Sequence, residues 1–272
     1  MAALPILEAQ NLRKNFGAVI AAWDISAAIL KDTVVGLIGA NGAGKTTFIN
    51  MITGYLKPGS GTIHFQGRDI TPLPPREITR LGVCRSFQIP QLYDSLTVEE
   101  NILVGLGIIS QISKKSFFPR ASQNISGSQG SASEAAGAIM ERFSLVDYRD
   151  KTADVLPGGI RKLLDIAMSM VGKPQIMMLD EPTSGINADQ KFEIMDMIME
   201  ALRAEGVTVL FVEHDMDIVS RYSERILAFY DGRIIADGGP EEVLADSKVR
   251  QYVIGGENKL SVKKGDSGNA HT

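Results

Sequence analysis

A glycine-rich stretch that contains one lysine and two threonines carries the residue types best suited to holding phosphate. It reads Gly39-Ala40-Asn41-Gly42-Ala43-Gly44-Lys45-Thr46-Thr47 and lies between an apolar run at 34–38 and a helix-compatible run at 48–52. Glycines let the backbone amides of such a loop point inward, and the helix that follows adds the positive end of its dipole. The order of strand, loop and helix is the P-loop pattern. It predicts that Lys45 reaches the β and γ phosphates of a nucleotide and that Thr46 ligates Mg²⁺.

Two adjacent carboxylates, Asp180 and Glu181, directly follow the apolar run at 176–179. A run of this kind is typical of a central parallel strand, so both acids are expected at its exposed end. In that position Asp180 is suited to hold Mg²⁺, directly or through water, as a Walker B acid does. Glu181, one residue further, is placed to take a proton from an attacking water.

Three more side chains lie at positions where ligand-binding residues are often found. For each of them, the sequence also allows a purely structural role. Gln88 follows a strand-like run at 83–87, where an ordinary loop residue is the commoner explanation. His214 follows a buried strand predicted at 207–212, and a ligand and a surface histidine are equally open. Phe16 precedes the P-loop and is placed to stack on a base, although core packing is the commoner role of an aromatic side chain.

The strands that position these residues are predicted from alternation and turn chemistry. Partly alternating runs at 6–12 and 23–30 predict two strands around a turn at Phe16-Gly17, ahead of the P-loop strand. Asp231-Gly232 between two apolar runs predicts a β-hairpin. The sequence therefore indicates an antiparallel layer in front of the P-loop and a hairpin near the end of the chain.

Two of the predicted helix starts rest on specific local signals. Thr97 with Glu100 three residues on forms a capping-box pattern, in which each residue satisfies the other's backbone amide. A second helix is predicted to begin at 157–159, because apolar residues then recur at helical spacing up to Val171.

Composition limits the class of protein. The chain has 272 residues, 44% of them hydrophobic, and a formal net charge of −4, so it lacks the basic footprint of a nucleic-acid-binding protein. The single cysteine, Cys84, excludes an internal disulfide and is expected in the apolar core. No run approaches the ~18 apolar residues of a membrane span, and the first five residues do not resemble a signal peptide. We expect the chain itself to be soluble and cytosolic.

Taken together, the motifs resemble those of the ATP-binding subunits of ABC transporters, over about residues 6–255. The family's motifs occur here in the family's order: Walker A at 39–47, the Q-loop at Gln88, a signature region at 156–162, Walker B at 176–180 with the catalytic Glu181, a D-loop at 184–187 and the H-loop at His214. The resemblance implies an α/β fold, namely a P-loop NTPase core with a mostly parallel sheet and an N-terminal antiparallel β layer. It also implies one domain over 1–254, with a helical subdomain at about 89–171.

Two segments of the predicted domain organisation rest on composition. Ser, Gln, Gly and Lys accumulate at about 110–133 with little periodicity, which indicates a flexible surface insertion. Residues 255–272 are rich in Lys, Gly, Ser and Asn and are expected to form a disordered tail.

The resemblance implies ATP and Mg²⁺ as cofactors and assigns roles to the remaining side chains. Phe16 falls where the family's adenine-stacking aromatic lies. Gln88 would sense Mg²⁺ and the γ-phosphate, joining Thr46 and Asp180 as a metal ligand. His214 would contact the γ-phosphate, so the implied catalytic residues are Glu181, His214 and Gln88.

The signature region departs from the family pattern Leu-Ser-Gly-Gly-Gln, because this chain has Leu156-Pro157-Gly158-Gly159-Ile160. In the family this loop grips the γ-phosphate of ATP bound on the opposite subunit. Pro157 offers neither a hydroxyl nor a backbone N–H, whereas Gly158 and Gly159 remain. The resemblance therefore implies a weakened grip on the partner's ATP, while this chain's own site depends on the partner's signature.

Finer features resemble the branch that serves the uptake of branched-chain amino acids and related polar amino acids or amides. They are the Walker A wording, Arg85-Ser86-Phe87-Gln88, the insertion between Ile108 and Glu134, Glu213-His214-Asp215-Met216 and the ending from Val249 to Gly255. Such systems combine two different ATP-binding subunits, two transmembrane permease subunits and a periplasmic binding protein. The resemblance thus implies a second ATP-binding subunit, with a heterodimer favoured over a homodimer, and a peripheral position on the cytoplasmic face of the inner (plasma) membrane. No nucleic-acid partner is expected.

The leading function is ATP hydrolysis that drives solute import. One alternative is a nucleotide-gated subunit with weak hydrolysis, which the altered signature allows. A soluble ABC ATPase of DNA repair or translation is less favoured, since no coiled-coil arm, second cassette or basic face is evident. A GTPase is disfavoured because the sequence contains no Asn-Lys-x-Asp motif.

Overall fold

The computed structural model describes residues 4–86, 91–114 and 132–255. The described residues form two compact units, one within residues 1–75 and 210–272 and the other within residues 76–209. Gln88, most of the predicted insertion and the predicted tail beyond Gly255 lie outside the described residues.

The first unit contains an antiparallel sheet with strand order β2-β1-β4-β5. Its strands are β1 (Leu7–Phe16), β2 (Val19–Ile29), β4 (Ser60–Phe65) and β5 (Arg68–Asp69). Phe16 pairs with Val19, and Gly17 between them has φ 58°, a left-handed conformation that glycine adopts at little cost. The predicted pair of strands around Phe16-Gly17 is confirmed.

The P-loop strand of the same unit is β3 (Val34–Ile38), which is buried along its whole length. It pairs in parallel with β9 (Arg225–Tyr230), which continues through a tight turn into the antiparallel β10 (Arg233–Gly238). Asp231 and Gly232 both have positive φ, 48° and 71°, as a two-residue type I′ turn requires. The hairpin predicted at Asp231-Gly232 is confirmed.

Helices complete the first unit. They are α1 (Lys45–Ile52), α7 (Met216–Tyr222), α8 (Pro240–Ala245) and α9 (Ser247–Val249), followed by a π-helical turn at Arg250–Ile254. The buried face of α1 packs against strand β9, where the ring centroids of Phe48 and Phe229 lie 5.5 Å apart. This contact fixes the helix that begins at the P-loop lysine.

In the second unit, β6 (Val83–Arg85) pairs in parallel with β7 (Ile176–Asp180). Its helices are α2 (Pro75–Leu81), which starts at the unit boundary, α3 (Val98–Lys114), α4 (Ala132–Arg142), α5 (Gly158–Met170) and α6 (Lys191–Ala204). The boundary with the first unit falls inside β8 (Thr208–Val212). Helices α3 and α4 extend into both ends of the segment predicted as an insertion, at 110–114 and 132–133.

The start of α3 has the predicted capping box. The backbone N–H of Thr97 donates to Glu100 Oε2 at 2.8 Å, and the backbone N–H of Glu100 donates to Thr97 Oγ1 at 3.2 Å. Helix α5 likewise begins at Gly158, directly after Pro157, and buries one face that includes Leu163, Leu164 and Ala167. These two predicted helix starts are therefore confirmed.

Cys84 lies on β6 and is 8% exposed, as predicted for a core residue. Burial raises the pKa of its thiol to about 12, because the apolar surroundings disfavour the thiolate. Within the described residues, no helix is both long enough and apolar enough to cross a membrane.

Candidate active site

The P-loop connects the end of β3 to the start of α1, and close backbone contacts hold it in place. Gly39 and Gly44 have φ 152° and 108°, values that favour glycine. A Cβ at Gly39 would lie 2.5 Å from the carbonyl oxygen of Phe229, and one at Gly44 would lie 2.8 Å from that of Ala21. These two glycines are therefore required by sterics as well as by backbone conformation.

Lys45 is 5% exposed, and its ammonium group lies within the loop that precedes it. Its Nζ donates to the carbonyl oxygen of Gly39 at 2.5 Å and to that of Ala40 at 3.2 Å. The loop therefore encloses a cation at the N-terminus of a helix, where an anionic phosphate is stabilised electrostatically. Thr46 and Asn41 are exposed, so the Thr46 hydroxyl is accessible.

The turn of the β9–β10 hairpin supports the loop from the far end of the sequence. The backbone N–H of Gly232 donates to the carbonyl oxygen of Ala43 at 3.0 Å, and the carbonyl of Gly232 accepts from the N–H of Trp23 at 2.8 Å. Through this one glycine, the P-loop is connected to strand β2. Nothing in the sequence pattern indicated this contact.

Phe16 ends β1, and its side chain is 52% exposed. The ammonium of Lys14 lies 5.7 Å from the centroid of its ring. Core packing, the commoner explanation from sequence, does not apply to a ring this exposed. Because Ala21 of the neighbouring strand approaches Gly44, the tip of the β1–β2 hairpin lies on the P-loop side of the sheet. Adenine stacking by Phe16 stays a prediction.

The acidic pair lies in the second unit at the end of β7, as predicted, but the expected exposure is not found, because Asp180 is buried and Glu181 is half-buried. Asp180 is 8% exposed, and its Oδ2 accepts a hydrogen bond from Arg85 Nη2 at 2.5 Å. Lys162 of α5, itself 4% exposed, approaches the backbone carbonyl of Asp180 with its Nζ at 3.4 Å. Two buried cations therefore hold the side chain and the main chain of one aspartate.

Glu181 has φ 46°, in the left-handed region that non-glycine residues seldom adopt. Its carbonyl accepts the backbone N–H of Ser184 at 3.1 Å, and its side chain is half-buried. The chain thus turns sharply straight after Asp180. The sequence predicted the pair but not this backbone conformation.

The signature region also lies in the second unit, next to the D-loop. Pro157 precedes α5 in an extended conformation, with its carbonyl accepting the N–H of Arg161 at 2.9 Å. A Cβ at Gly158 would lie 3.7 Å from the carbonyl oxygen of Gly185. One at Gly159 would lie 2.9 Å from Cδ1 of Ile194 on α6.

His214 follows β8 and is half-buried. Its backbone N–H donates to Oε2 of the preceding Glu213 at 3.2 Å, and Glu213 is 4% exposed. The strand exit predicted for this histidine is confirmed. Its contact with a γ-phosphate stays a prediction, as do all roles of Gln88, which lies outside the described residues.

The donor set bears on the implied Mg²⁺. Among the described residues, no group of three or more His, Cys, Asp or Glu side chains is arranged to hold a metal ion. Mg²⁺ in nucleotide sites is usually held by one or two protein oxygens, with phosphates and water supplying the rest. Asp180 offers a buried carboxylate in the second unit, and Thr46 offers an exposed hydroxyl in the first unit. Each is an oxygen donor of the kind that Mg²⁺ takes when it arrives with a nucleotide.

Comparison with known proteins decides the family. The sequence profile of the ABC transporter family matches residues 23–184. The chain is 36% identical to the high-affinity branched-chain amino acid transport ATP-binding protein LivG of Salmonella typhimurium, over 92% of this chain and 98% of the relative. The chain belongs to the ABC transporter family.

Two further similarities cover the same length of this ABC transporter protein. The high-affinity branched-chain amino acid transport ATP-binding protein BraF of Pseudomonas aeruginosa is 34% identical, over 92% of this chain and 98% of the relative. The ADP conformation of MJ1267, an ATP-binding cassette of an ABC transporter, has a TM-score of 0.78 at 33% identity and covers 92% of this chain and 98% of its own. The chain is accordingly an ATP-binding ATPase subunit with the α/β fold of these cassettes.

Among the described residues of this ABC transporter cassette, three contact the predicted site residues and were missed by sequence reasoning. Arg85 and Lys162 contact Asp180, and Gly232 contacts the P-loop backbone. Arg85 stands just before the predicted Q-loop and Lys162 in the signature region, so their motifs were noticed while their contacts were not. A buried cation beside a predicted metal-binding acid leaves no signal in a single sequence.

Proposed function

We propose that this ABC ATPase hydrolyses Mg·ATP to drive the import of branched-chain amino acids or related polar solutes. The supporting observation is the similarity, over 92% of the chain, to subunits named for high-affinity branched-chain amino acid transport. The transported solute contacts other subunits, so the inference about it rests on this similarity and not on a pocket in the chain.

In this proposal, the P-loop binds the phosphates. Backbone amides of Gly42 and Gly44 face the phosphate oxygens, and Lys45 moves from the carbonyls of its own loop to the β and γ phosphates. Asn41, Ala43 and Thr47 complete the loop, and Phe16 stacks on adenine. The buried ammonium of Lys45 supports this role, because a phosphate would supply a negative counter-charge that the backbone carbonyls do not.

In the same proposal, the acidic pair Asp180 and Glu181 acts in ATP hydrolysis. Glu181 accepts a proton from the attacking water, and His214 contacts the γ-phosphate. Thr46 and Asp180 are the described residues that would hold Mg²⁺, with Gln88 as a third proposed ligand. When bound, Mg²⁺ neutralises charge on the phosphate oxygens.

The altered signature concerns the partner's ATP. The loop at Pro157, Gly158 and Gly159 is proposed to approach the γ-phosphate on a second ATP-binding subunit, and Pro157 lacks two donors there. A hydrogen bond to a charged group contributes about 1.5–3 kcal/mol, so the partner's site loses part of its stabilisation. We therefore favour a non-identical partner, and with it an asymmetric pair of ATP sites.

Further partners follow from the same branch. We propose two transmembrane permease subunits and, acting through them, a periplasmic or extracellular solute-binding protein. The chain would then lie peripherally on the cytoplasmic face of the plasma membrane.

The departure at Pro157 also supports a second candidate, a subunit that binds ATP and gates transport while contributing little hydrolysis. The two candidates differ in whether Glu181 supports turnover. In the leading proposal, Glu181→Gln lowers ATP hydrolysis by about 10²–10⁴-fold and leaves ATP binding intact, since it removes a general base and not a phosphate contact. Glu141→Gln, at an exposed position on α4, is the matched control and should keep the parent rate.

The transport proposal is tested on the assembled complex. Membranes are solubilised, the subunits that copurify with this chain are identified, and the complex is reconstituted with its binding protein in vesicles. ATP-dependent uptake of labelled leucine, reduced by excess isoleucine or valine, is the expected result. ATP hydrolysis without uptake of any neutral or polar amino acid or amide would contradict the assigned solute class while leaving the ATPase in place.

A further inference from the structure

The ion pair between Arg85 and Asp180 joins the ends of two neighbouring strands. The two residues end the neighbouring parallel strands β6 and β7, and the backbone N–H of Ser86 donates to the carbonyl of Met178 at 2.9 Å. This pairing holds the strand ends in register and points the guanidinium at the carboxylate. Nη2 and Oδ2 lie 2.5 Å apart.

Burial makes this pair different from other short ion pairs of the same unit, such as the one between Arg142 and Glu205. The side chains of Arg85 and Asp180 are 10% and 11% exposed, whereas those of Arg142 and Glu205, also 2.5 Å apart, are 38% and 34% exposed. Water and salt screen the exposed pair strongly and the buried pair weakly. The charge of Arg85 therefore acts on the Asp180 carboxylate with little screening.

Any second cation that approaches the same carboxylate meets that environment. A dication is attracted less by a carboxylate that already has a counter-cation, and it is repelled by the nearby guanidinium. Arg85 also engages one of the two carboxylate oxygens, which restricts how the group can meet a metal. Lys162, near the backbone carbonyl of Asp180, adds a further positive charge in the same place.

We propose that Arg85 is a positioning residue of the ATPase, acting through Asp180 as the counter-cation that Mg²⁺ must compete against. This inference rests on the proposed function, because Mg²⁺ reaches Asp180 only with the nucleotide. It assigns Arg85 a specific effect: it raises the Mg²⁺ concentration needed for tight nucleotide binding, and it holds the carboxylate when no nucleotide is bound.

The test measures binding and not turnover. Binding of a fluorescent ATP analogue to the full-length chain is titrated with MgCl2 at constant ionic strength, which gives the Mg²⁺ concentration for half-maximal enhancement. We expect Arg85→Gln to lower this concentration at least fivefold, Arg85→Lys to stay within twofold of the parent because its charge is kept, and Arg142→Gln to leave it unchanged. An unchanged or raised value in Arg85→Gln, with the parent responding normally, overturns the inference.

Removing a buried cation beside a carboxylate can unfold a protein, so a measurement on the unmutated side chain is also needed. The guanidinium NMR signal of Arg85, assigned by its loss in Arg85→Lys, should shift when Mg²⁺ is added together with ATP and stay in place with ATP in EDTA. An identical signal in both conditions overturns the inference. If the parent chain shows no Mg²⁺-dependent nucleotide binding at all, the proposed function fails instead.

Discussion

The backbone N–H of Gly232 donates to the carbonyl oxygen of Ala43, and this 3.0 Å hydrogen bond joins the β9–β10 turn to the P-loop. A Cβ on Gly232 would lie 3.2 Å from the backbone carbon of Ala21, so the turn fits closely between the loop and strand β2. The phosphate-binding loop therefore takes its shape partly from a residue far along the chain, and not from its own glycines alone.

We expect Gly232→Ala to weaken ATP binding at least tenfold. The substitution adds a methyl group where a Cβ has backbone neighbours at 3.2 to 3.3 Å, and the loop must shift to accept it. Isothermal titration with Mg·ATP measures the effect.

Gly67→Ala is the matched control, because Gly67 has φ 76°, close to the 71° of Gly232, but no atom within 4 Å of its added Cβ. Both variants should lose about 1–2 kcal/mol of unfolding free energy through the left-handed conformation. Only Gly232→Ala should lose ATP affinity, and equal affinities in the two variants would show that the contact with the loop is unimportant.

The capping box of α3 should contribute to stability without affecting the nucleotide. Thr97→Ala is expected to lower the unfolding free energy by about 1 kcal/mol, because it leaves the backbone N–H of Glu100 without its side-chain acceptor. Urea unfolding gives this value, and ATP affinity should be unchanged. Adding Glu100→Ala to Thr97→Ala should cost less than the sum of the two single changes, since the two hydrogen bonds form one motif.

Restoring the family's serine at the signature should raise hydrolysis in the assembled complex. Pro157→Ser returns a hydroxyl and a backbone N–H at the start of α5, and we expect up to about a tenfold gain at the partner's site. Pro240→Ser, a change of the same type at the first residue of α8, is the control and should give no gain. The absence of any gain in Pro157→Ser would mean that Pro157 does not limit turnover.

Cys84 should make stability fall at alkaline pH. Burial raises the pKa of its thiol from 9.0 to about 12, so between these values the unfolded chain loses a proton that the folded chain keeps. The contribution of the neutral thiol to the free energy of unfolding is therefore fully present below pH 9 and is lost as pH rises towards 12. Urea unfolding from pH 8 to pH 11 should therefore show a steeper decline in the parent than in Cys84→Ala, by up to about 1.4 kcal/mol per pH unit. Parallel declines would indicate that Cys84 titrates normally.

Local patterns predicted the elements of the fold and the motif residues. The P-loop at 39–47, the capping box at Thr97, the start of α5 at Gly158 and the hairpin at Asp231-Gly232 each depend on residues within a few positions of one another. Periodicity, turn chemistry and caps act over that range, so one sequence was enough to predict them.

Contacts between residues that are distant in the sequence could not be predicted from these local patterns. Arg85 and Asp180 are 95 positions apart, and neither the length of β6 nor its register with β7 can be deduced from residue types. The left-handed backbone conformation of Glu181 could not be predicted either, because glutamate has no intrinsic preference for that conformation. The sequence therefore indicated which residues are proposed to act on the nucleotide, but not which residues hold them in place.

The close approach of Gly159 to Ile194 changes how experiments on the signature loop should be interpreted. A side chain at Gly159 would force the Ile194 side chain of α6 to move, so any loss of activity would combine this internal repacking with the proposed loss of a contact to the partner's nucleotide. Gly158 has its nearest neighbour at 3.7 Å and would accept a methyl group without that internal disturbance. Of the two signature glycines, Gly158 therefore reports more directly on communication between subunits, whereas Gly159 also reports on packing inside its own chain.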